Sequence, residues 1–600
     1  MMDVAKAVDS NVAASKGQPR APPEADFPSL DIRLGSADMK AAYANEMEAW
    51  RIKGCIRQLW AGDASLWTEN AEDRWLGWLT VVEQELADLS QLKDFAERVR
   101  RRKFTDVVVL GMGGSSLGPE VLGQTFGDQP SWPRFHMLDS TDPAQIQEIE
   151  HAINLARTLF IVSSKSGGTL EPNIFLDYFA DRVGAALGKD KVGAQFVAVT
   201  DRGSSLDERA KQLGFADVFY GVPTIGGRYS VLSKFGLAPA AATGLDIRRL
   251  LETAQGMIRS CGPDAPSSDN PGVQLGVALG IAATRLGRDK VTIIASPGIA
   301  GFGAWLEQLL AESTGKRGRG LIPLAGEPLA RPERYGADRF FAYLELEHAA
   351  DPAQRAAIEA LESVGHPVAW IRLKDIWSVG AEFFRWEIAV AVAGAIIGID
   401  PFDQPDVEAS KQKTNALIKI YETTGSLPHE EPLLRGNGLA LYADQRNAAE
   451  LGCHKTLSAY LRSHLARVQA GDYVALLTYI ARNPVHIRAL TAIRTRIRDR
   501  LRVATCLGFG PRFQHSTGQA FKGGPNTGVF LQITCDDPAD IDIPGHPFSF
   551  GVVKAAQAQG DFDVLAERGR RLVRIHLTDV DAGLVELAAA ANAALETLSL

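Results

Sequence analysis

The chain has 600 residues, 46% of them apolar, enough for several domain-sized cores. Its 72 acidic against 64 basic residues give a net charge of −8, which excludes sequence-independent nucleic-acid binding, since that needs a basic face. The longest apolar run, Ile388–Ile399, is too short for a membrane-spanning helix. Five scattered cysteines without paired spacing predict a reduced, cytoplasmic protein.

Residues 1–25, rich in Ala, Pro, Ser and Gly and lacking the apolar core of a signal peptide, read as a disordered arm. Residues 26–102 read as a helical cap, with Tyr43, Met47, Trp50, Ile56, Leu59 and Trp60 recurring at helical spacing. From Phe104 short β-rich runs ("TDVVVLG", "RFHMLDS", "TLFIVSS", "AQFVAVT", "DVFYGVP") alternate with helical stretches. Such alternation predicts βαβ crossovers and a parallel sheet, here a first lobe over 103–287. A second lobe, 288–600, opens on "DKVTIIASP", "GLIPLAG", "FFAYLEL" and "PVAWIRL". It continues through a polar excursion near Tyr421–Gly438 into an α/β extension carrying "YVALLTYI", "VATCLGFG", "TGVFLQIT" and "LVRIHL". The predicted fold class is therefore α/β, two doubly wound parallel-sheet lobes behind a helical cap.

Ligands of open α/β sheets bind beyond the carboxyl ends of the strands. "GMGGSSLG" (Gly111–Gly118) occupies that position. As a Walker A loop it fails, because Pro119 stands where a lysine would reach the terminal phosphates. As a dinucleotide fingerprint it is weak, because Ser116 replaces the third glycine, although Asp139 mimics the ribose-binding acid. A sugar-phosphate cradle is the third reading. One strand later "SSKSGGTLEPN" offers the hydroxyls of Ser164, Ser166 and Thr169, the charge of Lys165 and two flexible glycines. Glu171 and Pro172 then suit the first turn of a helix. Such a loop can hold one monophosphate without a metal.

Three further segments complete the pattern. "GGRYSVLSKFGL" presents Arg228 behind two glycines, "LLAESTGKRG" places Glu312 near the end of an apolar helix, and "GIDPFDQPDVEASK" offers Gln404 and Lys411. The seven-residue spacing of Gln404 and Lys411 puts them near one helix face. In this order, over Phe104–Lys411, the segments resemble the glucose-6-phosphate isomerase (phosphoglucose isomerase) family, built from two sugar-isomerase-type (SIS) lobes. The tail "GFGPRFQHSTGQAFKGGPNTG", with "DASLWT" and "WLGWL", further resembles the isomerase half of transaldolase–phosphoglucose isomerase fusion proteins. The chain has no room for a transaldolase domain ahead of Phe104.

The resemblance implies that Ser164, Ser166 and Thr169 hold the phosphate, with Gly113, Gly114 and Ser115 close to the sugar. It implies that Glu312 moves the proton between C1 and C2 while Arg228 stabilises the enediolate. Lys411 would assist at the ring oxygen and Gln404 would bind nearby. A homodimer is implied as well, the chemistry requires no cofactor or metal, and a functional link to a transaldolase is left open. One departure stands out. The family's histidine follows a Gly-Thr-Asn-Gly-Gln stretch, and nothing like it precedes Asp400. The nearest likeness, "HSTGQAF", has Ala520 after Gln519, and Phe521 where the fusion-type relatives carry histidine. His515 is the candidate for ring opening, with Lys411 plus water and His366 as alternatives. The leading expectation is a cofactor-independent isomerase of glucose 6-phosphate and fructose 6-phosphate. A non-catalytic phosphosugar-binding SIS regulator is second. A nucleotide-cofactor enzyme, resting on Gly111, Gly113 and Asp139, is third.

Overall fold

Residues 28–598 are described by the computed structural model, so the arm expected over residues 1–25 lies outside them. The first element is a strand, β1 (Ser29–Arg33), inside the stretch read as a helical cap. It pairs antiparallel along the edge of the second sheet, with Ile32 opposite Ala369. Five half-exposed residues carrying Asp31 and Arg33 look like loop in sequence and are typical of a charged edge strand. Helices Ala37–Lys53, Cys55–Ala61, Val81–Ala87 and Ser90–Arg102 make up the rest of the cap, between short 3₁₀ turns.

The first lobe contains β2 (Asp106–Gly111), β3 (Arg134–Leu138), β4 (Thr158–Ser163), β5 (Phe196–Thr200) and β6 (Asp217–Tyr220). They form a wholly parallel sheet in the order β3-β2-β4-β5-β6. Every residue of β2, β4 and β5 is buried, as expected for strands covered by helices on both faces. The second lobe contains β7 (Lys290–Ala295), β8 (Ile322–Ala325), β9 (Arg339–Leu346) and β10 (Val368–Leu373), in the order β1-β10-β9-β7-β8. The two α/β lobes expected from the strand pattern are thus present.

The C-terminal extension has a sheet of its own and forms a third lobe, apart from the second lobe in which it was expected. It contains β11 (Leu434–Gly436), β12 (Leu439–Tyr442), β13 (Tyr473–Tyr479), β14 (Ala504–Phe509), β15 (Gly528–Cys535) and β16 (Arg571–Leu577), ordered β11-β12-β16-β15-β13-β14. Strands β13 to β16 run parallel, and the β11–β12 hairpin closes the edge, with β12 antiparallel to β16. This is the plan of the second lobe over again, where β1 closes the edge antiparallel to β10. The supposed excursion at Tyr421–Gly438 is the end of a long helix, Pro405–Thr424, followed by the β11–β12 hairpin.

Helix Pro271–Leu286, which the expected boundary at 287 gave to the first lobe, packs instead on helix Val379–Ile397 of the second. Gly272, Gly276 and Gly280 face the second helix, and a Cβ on Gly276 would lie 2.5 Å from the Ala389 carbonyl oxygen. Spacing of four puts all three on one face, which lets the backbones approach closely. Helix Phe302–Thr314, which carries Glu312, is likewise buried over most of its length. Among the described residues no helix is long and apolar enough to cross a membrane.

Candidate active site

Two loops at the carboxyl ends of β2 and β4 begin the site. Gly113 has a left-handed backbone (φ +56°), and a Cβ there would touch the Gln308 amide and His515. A Cβ on Gly114 would lie 1.9 Å from the Gly227 carbonyl oxygen. The glycines of "GMGGSSLG" therefore let this loop lie flat against the Arg228 loop and the His515 turn. Ser115, next in that loop, is buried.

The second loop ends in Thr169, the N-cap of helix Leu170–Leu187. Ser166 Oγ accepts from the Gly168 N–H at 3.3 Å, and Ser164 Oγ donates to Thr169 Oγ1 at 3.3 Å. Ser166, Gly168 and Thr169 line a cavity of about 250 Å³, closed on its other sides by Lys411, His515 and Gln557. The Thr169 hydroxyl makes no capping bond to the helix, and the positive dipole end of the helix faces the cavity, which suits a phosphate. Lys165 is turned elsewhere, its ammonium paired with Asp201 and donating to the Pro223 carbonyl.

His515 sits in a 3₁₀ turn after β14 and meets Glu171 across the cavity, Nε2 to Oε1 at 3.1 Å. Gln557 Nε2 donates to the same carboxylate oxygen at 2.7 Å, and Thr141 Oγ1 donates to Gln557 Oε1 at 2.7 Å. Burial pushes the Glu171 carboxyl up, but the facing His515, with help from Lys411, more than offsets this and holds it below its ordinary value. Lys411 keeps a half-exposed ammonium, 3.8 Å from Glu408.

Behind this cavity lies the second half of the site, which does not line it. Arg228 is buried and fully engaged. Its Nε donates to Ser313 Oγ (2.8 Å), one terminal nitrogen to Gln404 Oε1 (2.9 Å), and the other to the carbonyls of Pro401 and Asp403 (2.8 Å each). Glu312 Oε1 stands 3.5 Å from the same guanidinium. One turn back on its helix, Gln308 Nε2 donates to Glu312 Oε2 (3.0 Å) and to the His515 carbonyl (2.9 Å). This single amide joins the carboxylate to the histidine turn.

The remaining candidates lie elsewhere. His366 packs among Tyr335 and Phe341, where burial lowers its pKa to about 4. Asp139, the supposed ribose acid, is buried in an ion pair with Arg512. Ala520 is sealed against the end of the Glu312 helix, its Cα 2.3 Å from where a Gly315 Cβ would stand. Phe521 is buried against Tyr473 and Phe530. Neither residue lines the cavity, whereas His515, from the preceding turn, does.

Comparison with known proteins now gives the family. The phosphoglucose isomerase model matches residues 79–320. A glucose-6-phosphate isomerase of Rubrobacter xylanophilus is 31% identical over 368 residues, covering 54% of this chain and 84% of that protein. The chain belongs to the phosphoglucose isomerase family. A second family member, from Citrifermentans bemidjiense, is 29% identical over 467 residues, 67% of this chain and 86% of its own. A solved glucose-6-phosphate isomerase from Chlamydia trachomatis shares the fold, with a TM-score of 0.52 at 20% identity over 66% of this chain and 89% of that one. The isomerase family model stops well before Lys411 and His515, which are placed at the cavity by the geometry above.

Sequence reasoning missed Gln308, Gln557 and the partnership of Glu171 with His515. Gln308 had a signal, four residues before Glu312 on one helix face. Gln557 had none, because it reaches the cavity from a helix almost 400 residues beyond Glu171.

Proposed function

We propose that the chain interconverts glucose 6-phosphate and fructose 6-phosphate by proton transfer through a cis-enediolate. In this reading the phosphate sits on the Ser166–Thr169 loop and the amino end of helix Leu170–Leu187. His515, oriented by Glu171, gives and takes the proton at the ring oxygen, with Lys411 beside it. Glu312 then removes the proton next to the carbonyl and returns it to the neighbouring carbon, as a general base and acid. Arg228 offers a fixed positive charge to the oxygen on which negative charge develops. The reaction moves protons only, so no electron carrier enters it. Five free thiols fit a reducing compartment.

The observation that carries the reading is the Gln308 bridge, which ties the carboxylate beside Arg228 to the histidine facing the phosphate loop. The test is a coupled assay on the purified chain with fructose 6-phosphate. Glucose 6-phosphate should form at neutral pH without added metal, and its absence would sink the proposal.

A further inference from the structure

A second cavity, of about 510 Å³, opens at the seam between the second and third lobes. It shares no lining residue with the substrate cavity. On the second-lobe side it is walled by the turn after the Glu312 helix, Lys316–Gly318, and by the segment from Ile399 to Asp406. On the third-lobe side it is walled by Lys522–Gly524, Asn526, Arg568 and Arg570. The seam is tight, with the Gly318 N–H donating to the Gly523 carbonyl at 2.9 Å. A Cβ on Gly523 would lie 2.2 Å from Asp406 Oδ2, so this wall is backbone.

The charges of the cavity do not cancel. Lys316 pairs with Asp403 (2.7 Å), Arg568 with Asp406 (2.7 Å), and Lys522 with Asp561 (2.6 Å). Two arginines are left over. Arg317 is exposed in a left-handed turn position and has no hydrogen-bond or ion-pair partner among the described residues. Arg570 is buried; it donates only to the Lys522 and Gly524 carbonyls, and its Nε has no partner. The one acid outside these pairs, Asp400, turns its carboxylate to the Phe402 N–H (2.8 Å), and burial pushes its pKa up. An excess of positive charge in a walled cavity, on a chain of net charge −8, calls for an anionic ligand.

We infer that this seam is a second anion site, separate from the substrate cavity, that takes a small phosphoryl ligand of pyrophosphate size between Arg317 and Arg570. Arginine pairs well with such oxygens, through parallel charge-assisted hydrogen bonds. Burial, with Arg228 nearby, lowers the Lys316 ammonium to about 8, which leaves it charged at neutral pH. An occupant would bear on the loop whose Pro401 and Asp403 carbonyls and Gln404 amide hold Arg228. The site therefore adjoins the machinery without being part of it.

The test is calorimetric titration of inorganic pyrophosphate into the full chain saturated with fructose 6-phosphate, which keeps the phosphate loop occupied. One pyrophosphate should bind per chain, and Arg317→Ala should weaken it about 5- to 50-fold, as expected for a charge-assisted contact. Arg317 is exposed and unpartnered, so kcat and KM of that variant without pyrophosphate should equal those of the parent. Thr169→Ala, titrated without sugar phosphate, should keep this binding, so a failure of the proposed reaction leaves the seam testable. No binding to either chain, or binding that Arg317→Ala and Arg317→Glu leave unchanged, overturns the inference.

Discussion

At the scale of single residues, Glu312 and Glu171 are buried carboxylates with different neighbours. Glu312 faces the Arg228 guanidinium and accepts from the Gln308 amide. Replacing it with Gln keeps size and burial but removes the base, so kcat should fall at least ~10²-fold. Affinity for a phosphate analogue should survive, since Ser166 and Thr169 are untouched; equilibrium titration beside steady-state kinetics separates the two. Glu171 faces His515 and accepts from Gln557, so its work is to hold the imidazole's orientation. Glu171→Gln should therefore slow turnover of ring-closed substrate more than that of the open-chain form. His515→Ala should show the same split, and the double variant should be little worse than either single one, because the pair acts as a unit. Equal losses on both substrate forms would remove ring opening from this pair.

At the scale of elements, the histidine turn is held in place by an ion-pair clamp between lobes. Arg512, three residues before His515, reaches both Glu120 and Asp139 of the first lobe, and Arg482 donates to Glu120 at 2.7 Å. Burial raises the Glu120 carboxyl, but the two arginines dominate and bring it from 4.5 down to about 2. A carboxylate depressed on folding adds stability that is fully present above its unfolded value and lost as pH falls through the folded one. The stabilisation from Glu120 should thus disappear between about pH 4.5 and 2. Glu120→Gln should lower Tm at pH 7 and flatten its dependence across that acid window; a variant with the parent's acid limb would show that the clamp carries no such linkage. This clamp also marks a limit of sequence reading. Strand runs such as "TDVVVLG" announce themselves through local β-branched composition. Arg512 lies more than 370 residues from both Glu120 and Asp139, with nothing local to connect them. The short charged β1 and the β11–β12 hairpin were hidden for a related reason, since edge strands lack the apolar run that buried strands show.

At the scale of the whole molecule, one strand plan recurs three times. Among the mutually parallel strands of each sheet, with β1, β11 and β12 set aside, the first lies between the second and the third, and the fourth beyond the third: β3-β2-β4-β5, β8-β7-β9-β10 and β14-β13-β15-β16. An order that reverses between the first and third strands opens a crevice at their carboxyl ends. The first lobe fills its crevice with the Gly113 and Thr169 loops, and the third lobe brings His515 and Gln557 to meet them. The second lobe's carboxyl edge holds an apolar cavity of about 800 Å³, which carries none of these groups. The second lobe contributes instead through the end of helix Phe302–Thr314. The sequence shows the loops of the first lobe plainly, because glycines and hydroxyls cluster there. The third lobe's part was legible only as a misplaced likeness, "HSTGQAF", whose meaning depends on where the lobe folds back. That folding back has a consequence for assembly. Every group named at the site belongs to one chain, from Ser166 and Arg228 through Glu312 and Lys411 to His515. Specific activity should accordingly stay constant as the protein is diluted from micromolar to nanomolar, whatever its state of association. A fall on dilution that is restored by concentrating the sample would mean that a second copy supplies a group the single chain lacks.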